Sequence, residues 1–493
     1  MALTIHQKPL FSLLHSGEKI IFTMKDLYSA TNYYKVKYIA RVYMDRNTAN
    51  LGSTGNLSSP SLVATLKTNP NASGVGIFDL SPIVDNYVSA DYEGGHTYDP
   101  AYGGSPDYSK YEGVKFDVEP HSIHVIDDFC CAQNATNYFR VVFNMEFATA
   151  LQNPLQETSS YKTTEDYMIF NSFLDNEEIL METSGNYGYN LAWNDYIMND
   201  DQAKFLTNAP DEKQYIRDDD FATLAFFTNM SHTSAPDSFQ LGSGTAMNYS
   251  VEFVEIKYYN SAGGLMNTHV HNLNGNGGIH GAHPLEWAEL KYQYFGVGPA
   301  NVRGGGILNV PTQWNSFTVQ AFDDDNEEIS RPYYYYRQED DCKGYETIRL
   351  TWLNKFGSWD YYNFTQKNIR TFKKEAVSFQ SQDGTWNQEK FKITGYDGGR
   401  TVFKNKATEL ITLNTNFLTD EEAIWLEELF VSNNVFILNK KTTDASNQGL
   451  IRKFLEPVMV TTAELKRQTT ANDGKKQYTL TISKSKNRRT QRQ

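Results

Sequence analysis

Residues 34–44 read YKVKYIARVYM, and this stretch decides the class of fold. Apolar and aromatic side chains occupy every second position, while the positions between them include Lys35, Lys37 and Arg41. A period of two is typical of a strand that buries one face and exposes the other. Residues 138–147 alternate in the same way, so both segments predict half-buried strands.

The composition agrees with a β-rich chain. Aromatic residues make up 14% of the 493 residues and hydrophobic residues only 40%, a balance that suits half-buried strands better than helical bundles. We therefore predict a mainly β fold made of several β-sandwich-like modules with a C-terminal α+β unit. The expected divisions are an N-terminal β-sandwich-like domain at 1–155, a middle β-rich domain at 156–340, a C-terminal α+β domain at 341–483 and a basic flexible tail at 484–493.

Local signals place the other elements. A helix is predicted over residues 419–432, because Thr419 and Glu422 have the spacing of a capping box and two asparagines follow. A short helix is predicted to begin after Ser81, whose side chain would cap it, with Pro82 at the first helical position. Long loops are expected at 45–60, at 91–111 and, rich in Gly, Asn and His, at 263–306. Further strands are predicted at 122–126, 249–259, 314–322, 348–352, 359–364, 435–438, 457–461 and 477–483.

The charge is divided unevenly along the chain. The formal net charge is −14, which argues against a general nucleic-acid coat. The last ten residues contain no acid, and without them the rest of the chain carries −19. We expect this tail to bind an acidic neighbouring subunit, to line a DNA passage, or to serve only as a solubilising terminus. Its candidate partner-binding residues are Lys484, Lys486, Arg488, Arg489 and Arg492.

Cysteine content and hydropathy bear on the compartment. Cys130, Cys131 and Cys342 lack the spacing of a disulfide framework or a zinc site, so we expect reduced thiols and assembly in a reducing cytoplasm. The N-terminus does not have the pattern of a signal peptide, and no stretch reaches the roughly 18 apolar residues of a membrane span. A soluble chain without membrane insertion is expected.

Histidines and acidic residues suggest two metal hypotheses. His269 and His271 would lie on one face of a strand, with His280 and His283 after a Gly/Asn loop, and imidazoles at this spacing can bind zinc or another transition metal. The long loop and the lack of a nearby cysteine favour polar loop histidines instead. The acidic run 323–328 departs from the EF-hand pattern because Glu occupies its sixth position, so a solvated turn is favoured over an irregular calcium site.

Catalytic motifs are missing from the sequence. Gly296 and Gly298 are not followed by the third glycine of a dinucleotide fingerprint, and Ser243 does not lie in a nucleophile elbow. No set of nucleophile, base and orienting residue can be defended. We predict no catalytic residues, no cofactor and no enzymatic activity; a polysaccharide-degrading enzyme is the less favoured hypothesis.

Several segments, in this order, resemble a family of virion structural proteins of tailed phages of Bacteroidota, including crAss-like phages. A strand near the end followed by an Arg-rich terminus also fits, whereas the three long loops look like expansions of the family pattern. The segments are MALTIHQKP (1–9), the strand at 34–44, GVGIFDLSPIVDNYVSADY (74–92), RLTWLNKFGSWDYYNF (349–364) and FLTDEEAIWLEELFVSNNVFIL (417–438).

The resemblance implies a ring, hub or baseplate component of the phage neck or tail, with no catalytic residues to transfer. It implies a cyclic homo-oligomer that contacts other neck or tail virion proteins, lies near packaged DNA, and assembles in the host bacterial cytoplasm before residing in the virion. The alternative is a receptor-binding or adsorption protein whose exposed aromatic side chains contact host surface glycans. Against this alternative, the chain lacks fibre-shaft repeats and a lectin motif.

Overall fold

The computed structural model describes residues 3–9, 13–17, 19–26, 33–45, 60–87, 130–131, 136–164, 167–170, 172–173, 196, 198, 201–227, 251, 253–272, 292–304, 310–323, 325–339, 344–393, 395, 398–438, 455–466 and 476–485. Among these residues, strands account for 51% and helices for 8%. The chain is therefore mainly β with several sheets, which confirms the predicted fold class. The predicted strand at 122–126 and the predicted loops at 45–60 and 91–111 lie outside the described residues, apart from Asp45 and Pro60.

The chain divides into two compact units. Unit 1 comprises Met1–Gln338 and Leu353–Asp360, and unit 2 comprises Glu339–Trp352 and Tyr361–Gln493. The finer division at residue 155 stays a prediction.

Among the residues that the structure describes, eighteen strands and two short helices belong to unit 1. They are β1 Leu3–Gln7, β2 Leu13–His15, β3 Ile21–Asp26, β4 Tyr34–Asp45, β5 Ser61–Thr68, β6 Val75–Asp79, α1 Ser81–Val84 with a 3₁₀ turn at Asp85–Tyr87, β7 Cys130–Cys131, β8 Thr136–Ala148, β9 Gln156–Glu157, β10 Lys162–Thr163, β11 Tyr167–Phe170, β12 Gln214–Ile216, β13 Thr223–Phe227, β14 Phe253–Tyr259, β15 Leu265–Asn272, β16 Tyr292–Gly296, α2 Pro299–Gly304, β17 Ser316–Phe322 and β18 Tyr333–Arg337.

The remaining strands form one further sheet, which belongs to unit 2 apart from residues 353–360, and α3 follows β22 in the chain. The elements are β19 Ile348–Leu353, β20 Trp359–Phe364, β21 Ile369–Ser381, β22 Gly399–Asn414, α3 Asp420–Val431, β23 Val435–Leu438, β24 Leu455–Val460 and β25 Thr479–Lys484. The strand order is β20-β19-β23-β24-β25-β22-β21. No helix in the described ranges is long and apolar enough to cross a bilayer.

Two sheets of unit 1 face each other across an aromatic core. One has the order β1-β3-β6 and the other β2-β11-β8-β4-β5, in which β9 and β10 also pair with β8. Phe143 of β8 lies 5.5 Å from Phe22 and 5.7 Å from Phe78 between ring centroids, and all three side chains are buried. The alternation predicted for residues 34–44 is confirmed only from Tyr38 onward, where the buried side chains are those of Tyr38, Ala40, Val42 and Met44. Tyr34, predicted on the same buried face, is exposed, and Ile39, predicted on the other face, is buried.

Two more sheets complete unit 1, with orders β12-β18-β17-β14-β15 and β13-β16-β7. Phe317 and Tyr335 stack across β17 and β18 with ring centroids 4.7 Å apart. The prediction of one long loop at 263–306 is wrong, because β15, β16 and α2 fall within it. β15 is an edge strand with exposed apolar side chains such as Leu265. The alternation of buried apolar and exposed polar residues that identifies a strand is therefore weak there.

The prediction that Ser81 caps the first helix is also wrong. Ser81 is the first residue of α1, and the N-cap is Leu80, which makes no side-chain cap. The side chain that stabilises this start is Asp79, whose carboxylate accepts hydrogen bonds from the backbone N–H (3.1 Å) and the Oγ (2.6 Å) of Ser81. Pro82 is the second residue of α1, one position later than predicted, and still lies in the first turn.

Helix α3 confirms the capping-box prediction. The Thr419 Oγ1 accepts a hydrogen bond from the Glu422 N–H at 3.2 Å, and the Glu422 carboxylate accepts one from the Thr419 N–H at 2.8 Å. Trp425 is buried and lies 5.4 Å from Trp352 between ring centroids. The helix is thereby held against the sheet of its own unit.

The contact of Phe143 with two rings of the facing sheet predicts a large stability loss for Phe143→Ala. Removing this buried ring should lower the free energy of unfolding of unit 1 by about 3–5 kcal/mol, measured by urea denaturation. Leu151→Ala is the control, because that side chain is 64% exposed and should cost no more than about 0.5 kcal/mol. Equal losses in the two variants would contradict the assigned core.

Glu157 on β9 predicts a pH dependence. The Arg41 guanidinium donates hydrogen bonds to its carboxylate at 2.7 and 2.9 Å, and this contact lowers the pKa of Glu157. The ion pair therefore stabilises the fold above about pH 4, and its contribution is lost as the pH falls through the lowered pKa. Arg41→Met should lower the free energy of unfolding by no more than about 1 kcal/mol at neutral pH, since both groups are partly exposed.

The measurement is urea denaturation of wild type and Arg41→Met over a descending pH series. The two free energies of unfolding should converge at acid pH. Lys162→Met, on exposed β10, should show no such convergence. A difference for Arg41→Met that persists undiminished in acid would contradict the assignment.

Candidate functional site

The predicted histidine site is only partly described. His269 and His271 both lie on β15, opposite Ile256 and Val254 of β14, as the strand prediction required. The His269 side chain is 7% exposed. His280 and His283 lie outside the described residues. No group of three His, Cys, Asp or Glu side chains within the described part of the chain is placed to hold a metal ion, and a site made of the four histidines stays a prediction.

The acidic run at 323–328 forms a turn after β17. The Asp323 carboxylate accepts backbone hydrogen bonds from Asp325 at 3.1 Å and from Glu327 at 2.7 Å, and Asn326 has a positive φ of 62°. The most buried carboxylate among the described residues of the run therefore closes the turn of its own chain. Residues 325–328 are exposed, and the interpretation as a solvated turn stays a prediction.

The predicted basic tail begins within a strand. Lys484 is the last residue of β25, and its Nζ lies 3.1 Å from the Glu456 carboxylate and 3.9 Å from that of Glu409. It is thus paired within unit 2. The other predicted tail residues, Lys486, Arg488, Arg489 and Arg492, lie outside the described residues.

A long β-hairpin, which the sequence analysis did not predict, is the main functional candidate. We call it the arm; it comprises β21, β22 and the tip between them, residues 369–414. Only Leu410–Asn414 of β22 pair with β25. From Phe372 opposite Glu409 to Ser381 opposite Gly399, the two arm strands are neighbours only of each other in the described sheet. These ten β21 residues extend about 34 Å beyond the paired base.

Polar contacts fix the base of the arm. The Arg370 guanidinium donates to both carboxylate oxygens of Glu346, at 2.7 and 2.8 Å, and to Glu409 at 3.3 Å. The Asn414 side-chain amide donates to the Lys367 carbonyl at 2.7 Å. The arm therefore starts from a defined direction within unit 2.

Apolar side chains are exposed along the whole arm. Of the 25 large apolar side chains that are exposed among the described residues, nine belong to it. Such a concentration is typical of an interaction surface rather than of scattered surface residues. The nine are Ile369, Phe372, Val377, Phe379, Trp386, Phe391, Ile393, Val402 and Phe403.

The tip has an ordered hydrogen-bonding pattern of its own. The Trp386 ring lies 5.4 Å from the Phe391 ring between centroids, and its Nε1 donates to the Asp383 carbonyl at 2.9 Å. The Thr385 Oγ1 accepts from the Lys392 N–H at 2.9 Å. Even so, Trp386 is 68% exposed, so the tip presents an aromatic side chain on a fixed turn.

One face of the arm combines lysines with apolar side chains. Residues directly opposite each other share a face, so Lys404, opposite Val377, lies with Lys373, Lys406 and Phe379. Glu375, opposite Lys406, is the one acidic side chain on this face among the described strand residues, and the lysines outnumber it three to one. None of the three lysines forms an ion pair with another described residue. We call this surface the lysine face.

Comparison with known proteins leaves the function open. No family model and no curated protein matches the chain. Among solved structures, the native conformation of E. coli alpha-2-macroglobulin is 8% identical with a TM-score of 0.17, and the match covers 83% of this chain and 21% of that one. Fibronectin(III)-like modules of Clostridium thermocellum CbhA are 9% identical with a TM-score of 0.13, over 68% of this chain and 94% of theirs. Structural similarities with TM-scores this low do not support an inference about the function of this chain.

The exposure of the arm predicts that its outer part is dispensable for folding. Deleting residues 374–407 and joining Lys373 to Thr408 through an Asn-Gly turn removes no buried described side chain. This short-arm variant should keep its free energy of unfolding within about 0.5 kcal/mol of wild type, measured by thermal and urea denaturation. Ile411→Ala, at the buried base of the arm, is the comparison and should cost about 2–5 kcal/mol. A comparable loss in both would show that the outer arm is part of the fold.

Proposed function

We propose that this chain is a non-enzymatic structural subunit of a phage particle, a ring or hub component of the neck or tail that assembles through subunit contacts. The observation that carries the proposal is the arm, an extended hairpin whose apolar side chains are exposed along its length. A two-stranded ribbon is marginally stable on its own. Burial of these side chains against a neighbouring subunit would add the covering layer that the ribbon lacks.

The sequence resemblance supplies the setting for this proposal. Segments along the chain resemble virion structural proteins of tailed phages, and two of them, at 349–364 and 417–438, fall in β19–β20 and in α3–β23, which build the sheet that carries the arm. We therefore place the protein in the virion, after assembly in the host bacterial cytoplasm. Its partners are further copies of itself in a cyclic homo-oligomer and other neck or tail proteins, with the basic C-terminal tail near packaged DNA.

A second candidate function is adsorption to host surface glycans. The observation that favours it is the arm tip, where the exposed Trp386 and Phe391 rings lie together on an ordered turn. Aromatic rings present flat apolar faces together with polar groups, as glycan contacts require. In that case the tip would be the receptor-binding element.

Fractionation of purified particles tests the main proposal. We expect the chain to band with intact virions in a density gradient and to be detected by mass spectrometry in several copies per particle. The proposal fails if the chain is absent from gradient-purified virions. Binding of the purified full chain to host capsular polysaccharide, lost in Trp386→Ala but kept in Leu151→Ala, would favour the adsorption role.

A further inference from the structure

We propose that the lysine face of the arm binds unit 1 of a second copy of this chain, so that copies join head to tail. This inference rests on the proposed structural function and names the partner of the arm. It follows from three features of the molecule: the division of charge between the units, the chemistry of the lysine face, and the area that the arm offers.

The two units carry opposite net charges. Unit 1 contains 41 acidic and 21 basic residues, a formal charge of −20, whereas unit 2 contains 24 basic and 18 acidic residues, a formal charge of +6. The arm itself has eight basic and five acidic residues and carries +3. Contacts between like units of two copies are therefore opposed by charge, and contacts between unlike units are favoured.

The lysine face has the chemistry of a surface that binds an acidic protein. Lys373, Lys404 and Lys406 project from it without intramolecular ion pairs among the described residues, and Val377 and Phe379 lie beside them at 60% and 47% exposure. Lysine stems and apolar side chains supply contact area, while the ammonium groups select an acidic partner. A duplex DNA would bind through its phosphates and gain little from the two apolar side chains.

The length of the arm sets the area of the contact and its position on unit 2 sets the type of contact. A two-stranded ribbon about 34 Å long and about 10 Å wide presents roughly 340 Å² on each face. The lysine face alone therefore supplies under half of the ~800 Å² per partner of a standard protein interface, so each arm makes a small contact. Because the arm belongs to unit 2 and its proposed target to unit 1, the contact is heterologous, and such contacts generate rings when the rotation closes.

Photo-crosslinking of the full-length chain tests the proposal. p-Benzoylphenylalanine replaces Phe379, and equal amounts of ¹⁴N- and ¹⁵N-labelled protein are mixed, irradiated and mapped by mass spectrometry. We expect mixed-isotope peptide pairs that join position 379 of one copy to a unit 1 peptide of another. Raising the salt from about 50 mM to about 500 mM should reduce their yield, because screening weakens contacts between exposed charges.

Two double charge-reversal variants, one on each face of the arm, test which face makes the contact. Lys373→Glu with Lys404→Glu changes the lysine face, and we expect it to lower the mixed-isotope yield by at least about tenfold. Lys374→Glu with Arg400→Glu makes the same charge change on the opposite face of the same arm and should lower the yield by less than about twofold. Melting temperatures of all variants should equal that of wild type, since every substituted residue is exposed.

Equal yields in the two double variants would overturn the proposal. So would crosslinks confined to single-isotope pairs, crosslinks that join arm to arm, or crosslinks only to added duplex DNA or to anionic lipid vesicles. These outcomes are independent of the density-gradient result: absence from virions refutes the phage-particle function, whereas a chain found in virions without arm-to-unit-1 crosslinks refutes only the partner named here.

Discussion

A β-sheet in water can bury an apolar face only where a second layer covers it, and this constraint governs every part of the chain. In unit 1 the ring of Phe143 meets Phe22 and Phe78 from the facing sheet, so the alternating side chains of β8 are covered. In unit 2 the contact of Trp425 with Trp352 does the same for α3 and β19. The arm continues the sheet of unit 2 beyond its covering elements, and its apolar side chains are therefore exposed.

The same constraint links structure to proposed function. Within the arm, Val377 and Phe379 have the alternation of core residues but no described second layer of their own chain. A neighbouring subunit would supply that layer, and the lysines determine which surface qualifies. The Arg370 contacts with Glu346 and Glu409 hold the base, so less orientational freedom is lost when the outer part binds.

The sequence predicted the elements that depend on a local signal, such as a helix cap, and the strands that bury one face and expose the other. The strand at 34–44 follows from alternation, and helix α3 follows from Thr419 and Glu422. The arm was missed because lysines and glutamates interrupt the alternation of apolar residues along its strands. Under a covering layer of the same chain, those positions would have stayed apolar. Paired glycines at 398 and 399 were the available turn signal. For β15 the sequence predicted only that His269 and His271 share a strand face, because exposed positions on both faces conceal the rest of the strand.

The candidate site was less predictable than the fold, because a site depends on what distant segments bring together. Lys484 looked like the start of a free tail, but β25 places it beside Glu456, a residue 28 positions earlier in the chain. For the acidic run at 323–328 the sequence favoured a solvated turn over a calcium site, but it did not show that backbone N–H groups of the same turn donate to Asp323. Such pairings are set by topology, which a single sequence leaves open.

The long open edge of β21 also poses a hazard of misassembly. An exposed strand edge invites strands of other copies to add to it, and the result of such addition is fibrous aggregation. Lysines on both faces of the ribbon and the bulge after Val377 are the devices that proteins use to discourage this pairing. Two arms, each carrying +3, repel one another. The positive charge of the arm therefore opposes aggregation of chains through their exposed arm edges.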